Sequence, residues 1–241
     1  MKNLICILVF ATSSLLANAN ITPDPIQSNV LAFSGLKIRT APGLDGQVLK
    51  VIPFGETVNI IESDENIETI EWMEGSWIKI EHQGTEGYVF DGFLSDLPVP
   101  TFNFELSQSD FDLTYPMIAW AEYNFDETRK SDTINRGGDY DKIIQYMERG
   151  ILLTREDSDY SFNTSIVLPD VTISEAYNIV KSMLLTKAER NIYDKKAIYI
   201  KGGDDKIEKI KINIDNPVVI KKLKNGDIKI SVSAFHTGCG L

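Results

Sequence analysis

Residues 35–46 read GLKIRTAPGLDG. Leu36, Lys37, Ile38 and Arg39 alternate apolar and basic side chains, the period-two pattern of a half-buried strand. The run then breaks at Thr40-Ala41-Pro42-Gly43 and again at Asp45-Gly46. Pro42 sets its own φ and Gly43 admits positive φ, so the chain reverses there, and Asp45-Gly46 supplies a second bend. This is a short strand that leaves a barrel wall and makes a long loop before the next strand begins.

The pattern continues outward from that stretch. Val48–Ile52 is a second strand, turned by Pro53-Phe54-Gly55-Glu56 into a third, Thr57–Glu62. An acidic loop follows at 63–68. Trp77–His82 then meets residues 87–90 across Gln83-Gly84-Thr85. Short alternating runs with glycine turns at this spacing predict a small antiparallel β-barrel.

LKIRTAPGLDGQVLKVIPFGETVNIIE, followed by GSWIKIEHQGTEGYVFDGFL, resembles a bacterial SH3 domain over residues 34–96. The resemblance rests on an ordered set: Ile38-Arg39, Ala41-Pro42-Gly43, Pro53-Phe54-Gly55, Trp77, Gly84, Gly87-Tyr88-Val89 and Phe93-Leu94. The long insert at 63–75 departs from the family pattern. The resemblance implies a binding module for cell-wall peptide or a protein segment, with the loop after the first strand bordering the ligand surface.

The 241 residues suit one or two domains, and 43% hydrophobic with 24% charged residues is ordinary globular composition. A net charge of −11 argues against nucleic acid and other polyanions and favours a ligand that carries amines, such as a stem peptide with a free diamino-acid nitrogen. Residues 1–19 read as a secretory signal peptide: a basic start at Lys2, an apolar run from Leu4 to Leu16, and the small-x-small site Ala17-Asn18-Ala19. The run is too short for a membrane span, so a periplasmic or secreted protein is expected. Cleavage removes Cys6 and leaves Cys239 without an internal disulfide partner. Residues 20–33, with Pro23 and Pro25, read as an extended leader before the barrel domain at 34–97.

Leu97-Pro98-Val99-Pro100 is a stiff junction, which places a linker at 98–103 and a second domain at 104–241. There, 115–125 is compatible with helix or strand and 130–141 reads as loop. Residues 143–147 and 151–154 form a hairpin, with Gly150 and the β-branched residues opposing the helical alternative. Residues 174–187 are the best helix, capped by Ser174, with one apolar stripe from Ala176 to Leu184. Strands follow at 197–201, 208–214, 218–223 and 227–235, the last after the hairpin signal Asn225-Gly226. The expected fold class is mixed: an SH3-like antiparallel β-barrel, then an α+β domain with an antiparallel sheet and one main helix. No family resemblance marks this second part.

Little in the sequence carries catalysis. His236 and Cys239, three apart near the C-terminus, are a weak nucleophile–base pair, because on an extended strand they face opposite ways. Two His and one remaining Cys do not make a zinc site, and Glu156-Asp157-Ser158-Asp159 and Asp204-Asp205 lack the glycine and terminal glutamate of a calcium loop. No cofactor is expected. The candidate ligand-binding residues are Arg39, Trp72, Tyr88 and Asp91. Trp72 sits in the insert, where it can stand out of the core. Arg39 ends the first strand, where it either pairs internally with Asp91 or Asp45 or meets a ligand carboxylate. The reading is a non-catalytic envelope protein. Its rivals are an envelope hydrolase or other enzyme in the second domain, and an inhibitor of an envelope enzyme.

Overall fold

The computed structural model describes residues 26–63, 66–100, 112–137 and 140–235. The first unit contains β1 (Ile26–Val30), β2 (Leu36–Arg39), β3 (Val48–Ile52), β4 (Thr57–Glu62), β5 (Glu68–Ile70), β6 (Met73–Gly75), β7 (Trp77–His82), β8 (Thr85–Phe90) and β9 (Leu94–Ser95). Seven of these form one antiparallel sheet in the order β3-β2-β8-β7-β4-β1-β9, and β5 pairs with β6 separately. Every strand of the larger sheet sends at least one side chain into a single core built on Val30, Ile38, Ile52, Val58, Ile80 and Val89. A flat sheet cannot gather side chains from both its ends, so the sheet curls round that core.

The loop after β2 closes on itself. Thr40 N donates to the Gln47 carbonyl at 3.0 Å, and Gly43 turns the chain with φ +113°. The leader expected at 20–33 requires correction for its described part. Ile26–Val30 is a sheet strand, paired antiparallel with β4 on one side and β9 on the other. The alternation of Ser28, Asn29 and Val30 was too short to show a strand. The signal peptide at 1–19 lies outside the described residues.

The second unit runs α1 (Thr114–Asn124), β10 (Glu127–Asn135), β11 (Tyr140–Met147), β12 (Leu152–Ser158), β13 (Ser161–Leu168), α2 (Ile173–Ser182), α3 (Lys187–Lys196), β14 (Ala197–Lys201), β15 (Ile207–Ile212), β16 (Val218–Lys222) and β17 (Ile228–Phe235). All eight strands join one antiparallel sheet, ordered β10-β11-β12-β13-β17-β16-β15-β14. Leu153, Ile166, Ile230, Ile220 and Ile210 are successive cross-strand neighbours, so they line one face. The helices cover that face with Met117, Trp120, Ile179, Val180 and Tyr193.

This corrects the expected α+β unit with one main helix, because the sheet dominates and three helices of 11, 10 and 10 residues pack on it. Of residues 130–141, expected to be loop, 130–135 belong to β10 and 140–141 to the start of β11, while Arg136 and Gly137 lie outside both strands. All but one residue of β10 are exposed, so this edge strand has no apolar alternation to betray it. The α2 cap is Thr172 rather than Ser174. Its Oγ1 accepts from Glu175 N at 3.1 Å while Glu175 Oε2 accepts from Thr172 N at 3.4 Å, a reciprocal capping box.

The two units are packed together. Leu31 and Leu97, from the first unit and its exit, are buried in the core of the second. Pro98 and Val99 of the expected linker are half-buried and Pro100 is buried. Trp120 Nε1 donates to the Pro98 carbonyl at 2.9 Å. Residues 101–103 lie outside the described residues. Arg149 pairs with Asp96 at 2.5 Å and Lys206 with Glu74 at 3.0 Å.

The 63–75 insert also reaches the second unit. The Trp72 ring meets Tyr177 of α2 edge-on, centroids 4.9 Å apart, and Tyr199 of β14 at 4.7 Å. Next to it, Glu175 is 9% exposed and accepts from Ser95 Oγ at 2.5 Å. Burial raises its pKa from 4.5 to about 7, against the opposing pull of the Ser95 and Thr172 hydrogen bonds.

Two outcomes follow from this packing. Trp72→Ala should cost about 2 kcal/mol, below the range for fully buried tryptophans because the ring is only half-buried. The single thermal transition of the intact chain should then broaden or split in calorimetry, and an unchanged transition would show that the rings carry no docking energy. The second outcome concerns pH. A carboxyl whose pKa rises on folding favours the folded state fully below pH 4.5 and loses that advantage as pH climbs through about 7. The swing is on the order of 3 kcal/mol. Glu175→Gln keeps the capping box and cannot ionise. It should match the parent in urea denaturation at pH 4.5 and exceed it clearly at pH 8; equal stability at both pH values would contradict the assignment.

Candidate functional site

Alternation on β2 sends Leu36 and Ile38 into the core and leaves Lys37 and Arg39 on the outer face of the curled sheet. Arg39 lies directly opposite Tyr88 on β8, and Trp77 on β7 lies opposite Phe90. The outer face is therefore aromatic. Met73, Trp77 and Phe90 form a small second core there, with Tyr88, Phe93 and Ile70 packed against it. The insert roofs part of this layer, and Glu68 accepts from Trp77 Nε1 at 3.0 Å.

A groove of about 370 Å³ opens where that layer meets α2. Trp77, Phe90 and Phe93 line it on one side, Lys37 and Arg39 border it, and Asn178 and Lys181 reach it from α2. Arg39 Nη1 donates to the Gly46 carbonyl at 2.7 Å, and its guanidinium carbon lies 6.0 Å from the centre of the Trp77 ring. This bond spans the loop opened by Arg39 itself. A Cβ on Gly46 would lie 2.5 Å from the Ala41 carbonyl, so glycine there lets the loop close. Arg39 is thus held by the backbone rather than by the expected Asp91 or Asp45.

On the other side of the turn Asp91-Gly92-Phe93 lies a second cleft, of about 460 Å³, bordered by Glu74, Asp91, Asp96 and Glu175. Asp91 Oδ1 accepts from Ser76 N at 2.6 Å, and burial raises the Asp91 pKa against that bond. The four sequence candidates are therefore dispersed. Arg39 borders the basic groove and Asp91 the acidic cleft. Tyr88 packs half-buried over the aromatic layer. Trp72, expected to stand exposed, is clasped between units by Tyr177 and Tyr199. Lys181 and Asn178 carry no sign of the groove in the sequence, because nothing in a linear sequence joins α2 to β2. Trp77 and Phe90 are both buried, and both line the groove.

The second unit has a cleft of about 600 Å³ between α1 and the β11–β13 end of the sheet. Glu122, Asp141, Asp157 and Arg155 border it with Tyr115 and Phe162. Arg155 pairs with Glu122 at 3.4 Å, and Arg155 Nη2 donates to Gln145 Oε1 at 2.8 Å. Among the described residues no group of three or more His, Cys, Asp or Glu is placed to hold a metal ion, and no helix is long and apolar enough to cross a membrane. His236 and Cys239 lie outside the described residues.

No curated protein and no solved structure matches the chain. The sequence model of the bacterial SH3 domain family matches residues 34–95. It is this segment, β2 through β9 with the insert and the aromatic groove wall, that belongs to the bacterial SH3 family.

Proposed function

We propose that the chain is a non-catalytic envelope protein whose SH3 unit attaches it to cell-wall peptide or to a segment of a protein partner. Bacterial SH3 domains are typically cell-wall binding modules, and the fold alone does not choose the ligand. One observation carries the reading here: the groove along β2 sets an aromatic wall beside Arg39, which the Gly46 carbonyl holds in place. Aromatic and arginine anchors are the side chains that most often carry binding energy, and a pre-held arginine loses little freedom on binding. The signal-like segment at 1–19 supports a periplasmic or secreted location.

The α1 cleft favours a second reading, an envelope hydrolase in the second unit, because it gathers carboxylates and a guanidinium in a concave site. The bonded set Glu122–Arg155–Gln145 is a structural network as it stands, so binding is the stronger conclusion.

Titration of purified muropeptides into the full chain, followed by NMR, should move resonances of Arg39 and the Trp77 indole. Arg39→Ala should weaken binding about tenfold. No shift at millimolar ligand would remove cell-wall peptide from the reading. Cleavage of the muropeptides, abolished by Glu122→Gln, would put the second reading in place of the first.

A further inference from the structure

The groove of the SH3 unit is electrically at odds with the molecule around it. The chain carries −11, yet Lys37, Arg39 and Lys181 border the groove, and among the described residues its lining holds no carboxylate. The acidic cleft beyond the Asp91-Gly92-Phe93 turn has the opposite lining, with four carboxylates, of which Glu74 is paired with Lys206 and Asp96 with Arg149. Charge sorted in this way concentrates positive potential in one concave, partly apolar place.

The three cations are presented differently. Lys37 is exposed on the outer face of β2 and forms no ion pair among the described residues. Arg39 spends one donor on Gly46, and a guanidinium has five. Lys181 Nζ is steadied by Asp194 at 2.7 Å, a bond that leaves the ammonium two further donors. Asn178, 5% exposed, adds an amide at the same edge of α2. The apolar part is Trp77, Phe90 and Phe93. A volume of about 370 Å³ lies at the small end of ligand clefts, which suits the end of a chain rather than a long segment.

We infer that this groove receives a peptide chain end, with a free α-carboxylate held by Arg39, Lys37 and Lys181 and a small apolar side chain against Phe93 and Trp77. The site is composite: the second unit supplies Lys181 and Asn178, so docking of the two units completes it. The inference rests on the placing of the SH3 ligand in this groove and adds the ligand's chemistry. It reverses the preference for amines drawn from the net charge, since whole-chain charge does not describe this surface.

The test uses the full chain and four probes: N-acetyl-Ala-Ala as free acid and as amide, each in the L and the D series. The free acids should shift the amides of Lys37, Arg39 and Lys181 and bind about tenfold more tightly than their amides, the ratio expected when one charge-assisted hydrogen bond is lost. Lys181→Gln and Lys37→Gln should each narrow that ratio while keeping the dispersed spectrum of the folded protein, with unliganded changes in Lys181→Gln confined to the surroundings of Asp194. These two variants keep the test open if Arg39→Gln disturbs the 40–47 loop. Tighter binding of the D acid points to wall peptide as the source of the chain end, and tighter binding of the L acid to a protein terminus. Equal binding of acid and amide in the groove overturns the carboxylate assignment and leaves the attachment reading standing. Free acids that bind while muropeptides do not would uphold the chain-end receptor and remove the wall as its source. Absence of groove shifts with all four probes overturns the inference, whatever muropeptides do.

Discussion

The Trp72 ring between Tyr177 and Tyr199 is the contact on which the rest of the arrangement depends. It holds α2 against the outer face of the SH3 sheet. With α2 in place, Glu175 is buried under Ser95, Asn178 reaches Met73 Sδ at 3.9 Å, and Lys181 comes to the groove. Aromatic edges tolerate small sliding but not separation, since their attraction fades within about an ångström of contact. Together with Leu31 and Leu97, the 63–75 insert joins this SH3 unit to the second unit.

Much of the first unit was legible because its turns are chemically explicit. Gly43, Gly55 and Gly84 all adopt positive φ, and each marks a bend read from the residues alone. β1 was not legible, because a five-residue strand ending in Val30 looks like any short mixed segment until β4 and β9 flank it. In the second unit the apolar strands β15 to β17 were readable from alternation. β10 was not, since an edge strand buries almost nothing, and β13 went unassigned although Thr164 and Ile166 are fully buried there. α3 was hidden by its composition: only Tyr193 is buried in it. For the site, Arg39 could be chosen from its place at a strand end. Trp72 could be chosen as unusual but not assigned a partner, because the tyrosines that receive it lie more than a hundred residues further on.

Net charge was the least local of the sequence signals. Net charge averages over surfaces that the fold separates. Here a single three-residue turn divides a basic groove from an acidic cleft, and the acidic side is buried enough to hold Glu175 near neutrality. That carboxyl sits in the same hydrogen-bonded chain as Leu97 N and Ser95 Oγ, so the exit of the SH3 unit and the start of α2 share one proton-sensitive joint.

The order of the eight-stranded sheet has a consequence for how the second unit comes together. Six of its seven strand pairs join neighbours in the chain, which makes two meanders, β10 to β13 and β14 to β17. The remaining pair, β13 with β17, is the seam, and α2, α3 and three strands lie between its two edges in sequence. Each meander closes short loops that cost little entropy, whereas the seam closes a long one. Its eight registered pairs, from Ser161 opposite Phe235 to Leu168 opposite Ile228, are accordingly the pairings of this sheet that cost the most loop entropy to bring together.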